Sequence, residues 1–544
     1  MTFFRCAHTI LSSMPARQAL YFILGIFRVA IFSAAMFSAS TMIENCMLPR
    51  LFTLALLACA SSASSAAAGW SEPAAGLPPA VADLLRASNI PQQALGAIVL
   101  RGDSTLLSHG AATSMQPAST MKLLTSMVAL EQFGPAFRAR TELRSSAEQV
   151  DGVLTGDLIL RGGADPDFDA DALKRMLQGL RNQGISQIRG DLILDRGLFQ
   201  PARPDLGLAP FDESPELRYN VIPDALLLNT NLVQIDVRST IGKIHLNLMP
   251  QLDNVTLVSD LTLQSGNCAR LADGWNMPDT LRGDDGRIRI VLRGSFPHNC
   301  IKSASLNLLD RNDYADRLFR ANWRSLGGSI KGTVREASQL AGAQPATRLL
   351  AEHVSRALPE VLRDINKSSD NTLARLLYLS LGSLNTDAVL GSRPLSLAGP
   401  ENTAQRADLA VRRWLQRHAI DAAGLVLENG SGLSRLERIS PAQMAAVLQA
   451  ASASPWAPEF LSSLPIVALD GTMRNRLGAS AAAYRARIKT GTLKNVTAIA
   501  GYVQDAQGRQ CVVVAMINHD LANQRGNGRA VLDALIDWVA SSNL

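Results

Sequence analysis

Three short groups of residues carry side chains able to make and break an acyl bond, and they follow one another along the chain: Ser119-Thr120-Met121-Lys122, Ser369-Asp370-Asn371 and Lys489-Thr490-Gly491-Thr492. A serine hydroxyl is a weak nucleophile until an adjacent base takes its proton. Three residues along a helix return to the same face, so Lys122 reaches the Ser119 oxygen if this segment is helical. A lysine acts as that base only when desolvation or nearby positive charge depresses its pKa, and Lys489 is expected to supply the charge. At a helix start, Ser119 also sits among free backbone N–H groups and the positive end of the helix dipole. Ser369 is expected to relay a proton between Lys122 and a leaving amine, and Asn371 to hold a substrate amide. Lys489 and Thr490 offer an ammonium and a hydroxyl to a substrate carboxylate. Gly491 permits close backbone approach, and the Thr492 N–H joins that of Ser119 in an oxyanion hole.

Each group alone is a weak signal, and their order and company make it a strong one. Of 53 Lys and Arg residues only eight are lysines, and lysine, unlike arginine, can lose its proton when desolvated. Among the eight, only Lys122 has a serine three residues before it, and Lys122, Lys367, Lys489 and Lys494 lie in or beside the three groups. Competing chemistries lack their residues. The chain has no Gly-x-Ser-x-Gly, His-Glu-x-x-His or Cys-x-x-Cys, and no Gly-rich loop ending in Gly-Lys-Ser/Thr. The seven histidines are scattered, and His353, in a stretch read as helical, is expected to be packed or solvated. No metal and no cofactor is expected. A formal charge of +6 over 544 residues, without basic runs interleaved with aromatics, argues against nucleic acid as a partner.

The elements that must position these residues show in the hydrophobic periodicity. Ala94–Arg101 and Thr105–Ser108, around the turn Arg101-Gly102-Asp103-Ser104, read as a hairpin, and Ser119–Gln132 as a helix. From about 146 to 320 the texture changes. Gly156–Leu160 recurs as Gly190–Leu194 with the helix-like Ala172–Gln183 between, a β-α-β unit, and residues 226–300 alternate as an all-β region. Helical patterning resumes after 310 through about 456. Strands Ala486–Thr490, Thr497–Val503 and Gln510–Ile517 follow, then a terminal helix Ala530–Ala540. The outer parts share one style, which predicts a discontinuous main domain, 69–145 and 320–544, interrupted by an insert. Cys268 and Cys300 flank a β-rich stretch and are expected to pair, a closure worth about 3–4 kcal/mol. Cys511 reads as an inert core thiol.

Residues 1–68 read as a leader. From Met47, the expected true start, one Arg, the apolar run Leu51–Ala60 and a string of small residues have the layout of a secretory signal, with cleavage near Ala66–Ala68. The stretch Ala19–Met36 is broken by Arg28 and makes a poor membrane span. Leu56-Leu57-Ala58-Cys59 loosely resembles a lipoprotein cleavage box. The periplasm is the expected destination, with a membrane-anchored form facing it as the alternative and weak membrane association left open.

Taken with Pro117-Ala118, Lys367-Ser368, Asn429-Gly430-Ser431-Gly432-Leu433-Ser434-Arg435 and Asp470-Gly471-Thr472-Met473, the three groups make the chain resemble the D-alanyl-D-alanine carboxypeptidase/endopeptidases, the low-molecular-mass class C penicillin-binding proteins, from about Pro78 onward. The resemblance implies an α/β (α+β) fold: a penicillin-binding/β-lactamase-like transpeptidase domain, its antiparallel sheet flanked by helices. An inserted domain II (146–225 and 301–319) and a β-rich domain III nested in it (226–300) would fill the gap between Ser119 and Ser369. It also implies a serine-type carboxypeptidase that releases terminal D-Ala from peptidoglycan stem peptides and cleaves D-Ala cross-links through an acyl-enzyme on Ser119. β-Lactams would be its inhibitors. Arg435 and Asp165 match positions that bind the substrate side chain in relatives. Ala164 stands before Asp165 where Gly is usual, and a plain Asp-Pro turn is the other reading of that segment. Two further readings are a serine β-lactamase, for which no water-activating carboxylate is recognisable, and a non-catalytic peptidoglycan-binding scaffold, against which the intact motifs argue. Oligomeric state is not legible.

Overall fold

Five antiparallel strands, in the order Ser104–His109, Leu95–Arg101, Gln510–Asn518, Val496–Gln504 and Arg487–Leu493, form the sheet on which the chemistry is mounted. The computed structural model describes residues 76–268, 276–339, 346–396 and 399–543, all within one compact unit, Ser71–Leu544. The leader expected from sequence lies outside the described residues. The central strands are apolar on both faces because both faces are covered. Val99, Ile499, Val513, Ala515 and Ile517 share a core with helices Pro79–Ala87 and Asn527–Ser541. Their neighbours Ile98, Ala498, Ala500, Val514 and Met516 share another with helices Met121–Phe133 and Pro441–Ala453.

The helix Met121–Phe133 is buried on almost every side, Lys122 included, which explains why its sequence shows little amphipathic contrast. A 3-10 turn, Ala118–Thr120, leads into it, and the Thr120 hydroxyl closes that turn by donating to the Pro117 carbonyl at 2.8 Å. The helix stops at Gly134, whose φ of 73° favours glycine.

A second hydrophobic cluster surrounds a mixed sheet in the order Val334–Glu336, Leu192–Asp195, Leu158–Gly163, Arg140–Ser145 and Arg348–Val354. The expected β-α-β unit is here: Leu158–Gly163 and Leu192–Asp195 pair in parallel, joined through helix Ala170–Asn182, whose first turn is capped by the Asp169 carboxylate. Two three-stranded sheets drawn from Val233 to Leu306 pack into the same cluster, and Cys268 and Cys300 are disulfide-bonded beside them. Cys511 is buried and reduced.

One expectation is corrected. The helical reading after 310 holds for Arg311–Ser325, Leu358–Lys367, Asn371–Leu381, Thr403–Arg417 and Pro441–Ala453, but strands occupy 329–330, 334–336 and 348–354, and a ribbon occupies 384–394. Arg348–Val354 pairs antiparallel with Arg140–Ser145, a distant partner that local patterning does not reveal. His353 therefore lies on a strand. This sheet draws its strands from between Arg140 and Val354, on both sides of the inserted stretch.

The double variant Cys268→Ser/Cys300→Ser is expected to lose about 3 kcal/mol of unfolding free energy, from the closure entropy of a 32-residue loop. Chemical denaturation against the parent chain checks this, and an unchanged midpoint would count against it.

Candidate active site

The three sequence groups converge on Lys122. It sits in the first turn of its helix, 0% exposed. Its Nζ lies 2.9 Å from Ser119 Oγ, 2.6 Å from Asn371 Oδ1 and 2.6 Å from the Ser431 carbonyl oxygen. The last two oxygens only accept. A neutral amine has two N–H bonds and one lone pair, so the N–H bonds go to Asn371 and Ser431 and the lone pair is left facing the Ser119 hydroxyl. That is the arrangement a general base requires. Burial lowers Lys122 from its ordinary 10.5 to about 7, opposed by the charges of Asp370 and Glu437 and assisted by Arg375. Arg375 lowers Lys122 by like charge, and Lys122 and Lys489 act on each other in the same sense. Lys489 is itself 0% exposed, and burial first, then the charge of Lys122, holds it well below its ordinary value.

The turn that presents Ser119 is held in shape by close backbone packing. Ala118 and Ser369 have φ of 45° and 62°, conformations that residues other than glycine keep only when their surroundings impose them. A Cβ on Gly432 would stand 1.7 Å from the Ala118 carbonyl oxygen, and one on Gly491 would stand 2.7 Å from the Pro117 carbonyl oxygen and 3.0 Å from Ser119 N. The 429–435 loop and the strand Arg487–Leu493 therefore press directly on the turn that carries Ser119. That strand is the edge of the main sheet, as expected for a surface that receives a peptide backbone.

Ser369 Oγ accepts from Lys489 Nζ at 2.8 Å, so the hydroxyl expected beside Lys122 is bonded to the other lysine. Lys489 also donates to the Thr490 carbonyl at 2.8 Å, and Thr490 Oγ1 bonds Thr472 Oγ1 at 2.8 Å. Asp370 caps helix Asn371–Leu381 through Leu373 N and pairs with Arg218 at 2.7 Å. The Asn371 amide, expected to await substrate, is engaged at both ends: Oδ1 by Lys122, and Nδ2 donating to the Tyr219 carbonyl at 3.3 Å. Thr492 is exposed on the edge strand.

Arg435 is exposed at the mouth of a cleft of about 470 Å³, with Phe211, Asn429 and Arg375 in its walls. Its guanidinium lies 5.1 Å from the centroid of the Phe211 ring. Asp165 is not brought to this group. Its carboxylate is 1% exposed and accepts from Thr141 Oγ1 at 3.3 Å and Asp167 N at 3.0 Å, with His353 Nδ1 at 2.7 Å. Burial raises this carboxyl, and the hydrogen bond to it raises His353. Turned inward and satisfied, Asp165 is a tie between strands. Sequence reasoning quoted Ser431 and Thr472 only as members of motifs, with no role, and missed Arg375 and Glu437. The paired glycines of the 429–435 segment signalled a special backbone there, but a carbonyl or a buried charge carries no local signature. Among the described residues no three His, Cys, Asp or Glu side chains gather as metal ligands.

A family model described as the D-Ala-D-Ala carboxypeptidase 3 (S13) family matches residues 77–541. The chain is 28% identical over 421 residues to the D-alanyl-D-alanine carboxypeptidase DacB of Haemophilus influenzae, an alignment covering 75% of this chain and 82% of that protein. It is 29% identical over 426 residues to a D-alanyl-D-alanine carboxypeptidase of an Actinomadura species, covering 76% and 75%. Its fold is similar to the crystal structure of penicillin binding protein 4 from Haemophilus influenzae, with a TM-score of 0.68 and 25% identity over 85% of this chain and 99% of that one.

Acylation by a labelled penicillin is expected to slow as pH falls through about 7 and to level off above it, because only the deprotonated Lys122 serves. A pH–rate profile checks this. Lys122→Arg, whose side chain keeps its proton, is expected to be slower by about 10²-fold or more at every pH.

Proposed function

Since the chain belongs to the D-Ala-D-Ala carboxypeptidase 3 (S13) family, we propose that Ser119 is the residue acylated in its reaction. The protein is a penicillin-binding D-Ala-D-Ala carboxypeptidase, a hydrolase. The observation that carries the assignment is the Lys122 amine, 2.9 Å from Ser119 Oγ with both remaining hydrogen-bond partners pure acceptors. As Oγ bonds to the carbonyl carbon of the penultimate D-Ala, Lys122 takes its proton. The backbone N–H groups of Ser119 and Thr492 receive the oxyanion. The C–N bond then breaks, and the leaving amine departs with a proton returned from Lys122, Ser369 serving as relay. Lys489 and Thr490 hold the terminal carboxylate, whose arrival restores the charge that burial takes from Lys489. Water attacks the ester with Lys122 again as base, freeing the shortened peptide. Asn371 acts by holding Lys122, and Arg435 meets the substrate side chain at the cleft mouth.

A β-lactam enters the same path, but its leaving nitrogen stays tethered to the acyl group and obstructs the water. Peptidoglycan stem peptides are the substrates, and a cross-link is the same D-Ala amide with a larger leaving amine, for which the open edge strand leaves room. The signal-like layout from Met47 and a disulfide suited to an oxidising compartment support a periplasmic site of action. Among the described residues no helix is long and apolar enough to cross a membrane. Packing supports a main domain of residues 76–139 and 355–543, with the remainder inserted.

Ser119→Ala is expected to abolish both D-Ala release from a stem peptide and attachment of labelled penicillin while leaving the melting temperature unchanged. Mass spectrometry of the parent's labelled tryptic peptide should place the adduct on Ser119. Release retained by the variant would overturn the assignment.

A further inference from the structure

Glu437 is 0% exposed, and what its carboxylate meets is backbone. Oε1 accepts from the N–H groups of Glu428, Asn429 and Gly430 at 3.2, 3.0 and 2.8 Å, and Oε2 from that of Gly432 at 2.7 Å. Burial pushes this carboxyl up and the four N–H donors pull it down; a protonated acid would turn a donor against one of these donors, so the group that fits the geometry is the ionised carboxylate. The segment folded around it, residues 428–432, is fastened to the nucleophile helix at two points. Thr125 Oγ1 donates to the Gly430 carbonyl at 2.6 Å, and Lys122 Nζ to the Ser431 carbonyl at 2.6 Å. The same segment sets Gly432 against the Ala118 carbonyl.

We propose that Glu437 is a positioning residue for the general base: its carboxylate shapes the loop whose Ser431 carbonyl fixes one Lys122 N–H, and it places a buried negative charge in the surroundings of that amine. The inference rests on Lys122 being the base. The charged groups facing Lys122 are Asp370 from the cap of helix Asn371–Leu381, Arg375 from within that helix, Lys489 from the edge strand and Glu437 from the loop. Asp370 is already paired with Arg218. Glu437 favours the protonated amine, so removing its charge moves Lys122 further down.

The test is the pH–rate profile of labelled-penicillin acylation in the full chain, with rates referred to the titrated amount of Ser119 adduct. Glu437→Gln keeps the shape and loses the charge. Its acid limb is expected to move to lower pH by about half a unit or more, and its plateau to fall about tenfold as one backbone N–H meets an amide donor. Glu437→Asp keeps the charge but withdraws it by one methylene, so the limb stays and the plateau falls. A Glu437→Gln limb that coincides with the parent's, or full rates per adduct in both variants, overturns the inference. Should Glu437→Gln give no adduct, Glu437→Asp decides: a slower rate with the parent's limb sustains the inference, and a parental rate or a moved limb ends it. A parent adduct on a residue other than Ser119 would instead overturn the catalytic reading beneath it.

Discussion

The Nζ of Lys122 meets two oxygens that can only accept, and this leaves its lone pair no partner but the Ser119 hydroxyl. Burial alone would make the amine neutral without aiming it. A neutral amine free to rotate would spend part of its time donating to Ser119 Oγ, which draws electron density from the oxygen proposed to attack. Neutrality and aim are separate requirements, and the structure meets them with separate devices. Desolvation depresses the pKa, and the Asn371 and Ser431 oxygens fix the rotation.

Meeting both requirements forces segments far apart in the chain into contact. Asn371 and Ser431 stand 249 and 309 residues beyond Lys122, and each is held by its own local device. Asp370 caps the helix that starts at Asn371, and Glu437 gathers the N–H groups of the loop that carries Ser431. The left-handed backbone at Ala118 and Ser369 costs on the order of 1–3 kcal/mol at each residue. At Ala118 it persists because the backbones of Gly432 and Gly491 lie against the turn that carries Ser119, where even a methyl group would not fit.

Much of this was legible in the residue order. Lys122 and Lys489 could be singled out because lysine is scarce here, and the hairpin, the late strands and the nucleophile helix follow from short-range periodicity. What could not be read was set by long-range contact. The pairing of Arg348–Val354 with Arg140–Ser145 joins strands about 200 residues apart, so the helical reading of 348–354 failed. Asp165 matches a family position by its neighbours in sequence, yet its side chain turns toward His353, a partner that only the fold supplies. Ser369 was expected beside one lysine and bonds the other because both amines share the same small space. Glu437 lies two residues past a motif that drew attention for its arginine.

The inserted region is more than an appendage to the catalytic sheet, and the Asn371 amide shows why. An asparagine side chain presents either its oxygen or its nitrogen in a given direction, and Lys122 needs the oxygen. What decides is the Tyr219 carbonyl, which can only accept and therefore draws Nδ2 toward itself, turning Oδ1 to Lys122. Tyr219 stands in a segment pinned to the same helix by the Arg218–Asp370 ion pair and by Thr372 Oγ1, which donates to the Val221 carbonyl at 3.3 Å. A segment of the proposed insertion thus sets the orientation of an amide, and that amide sets the orientation of the Lys122 amine proposed as base. Any movement that withdrew the Tyr219 carbonyl would let the amide turn over, present a donor to Lys122 and swing its lone pair off Ser119, without disturbing a single residue of the catalytic sheet.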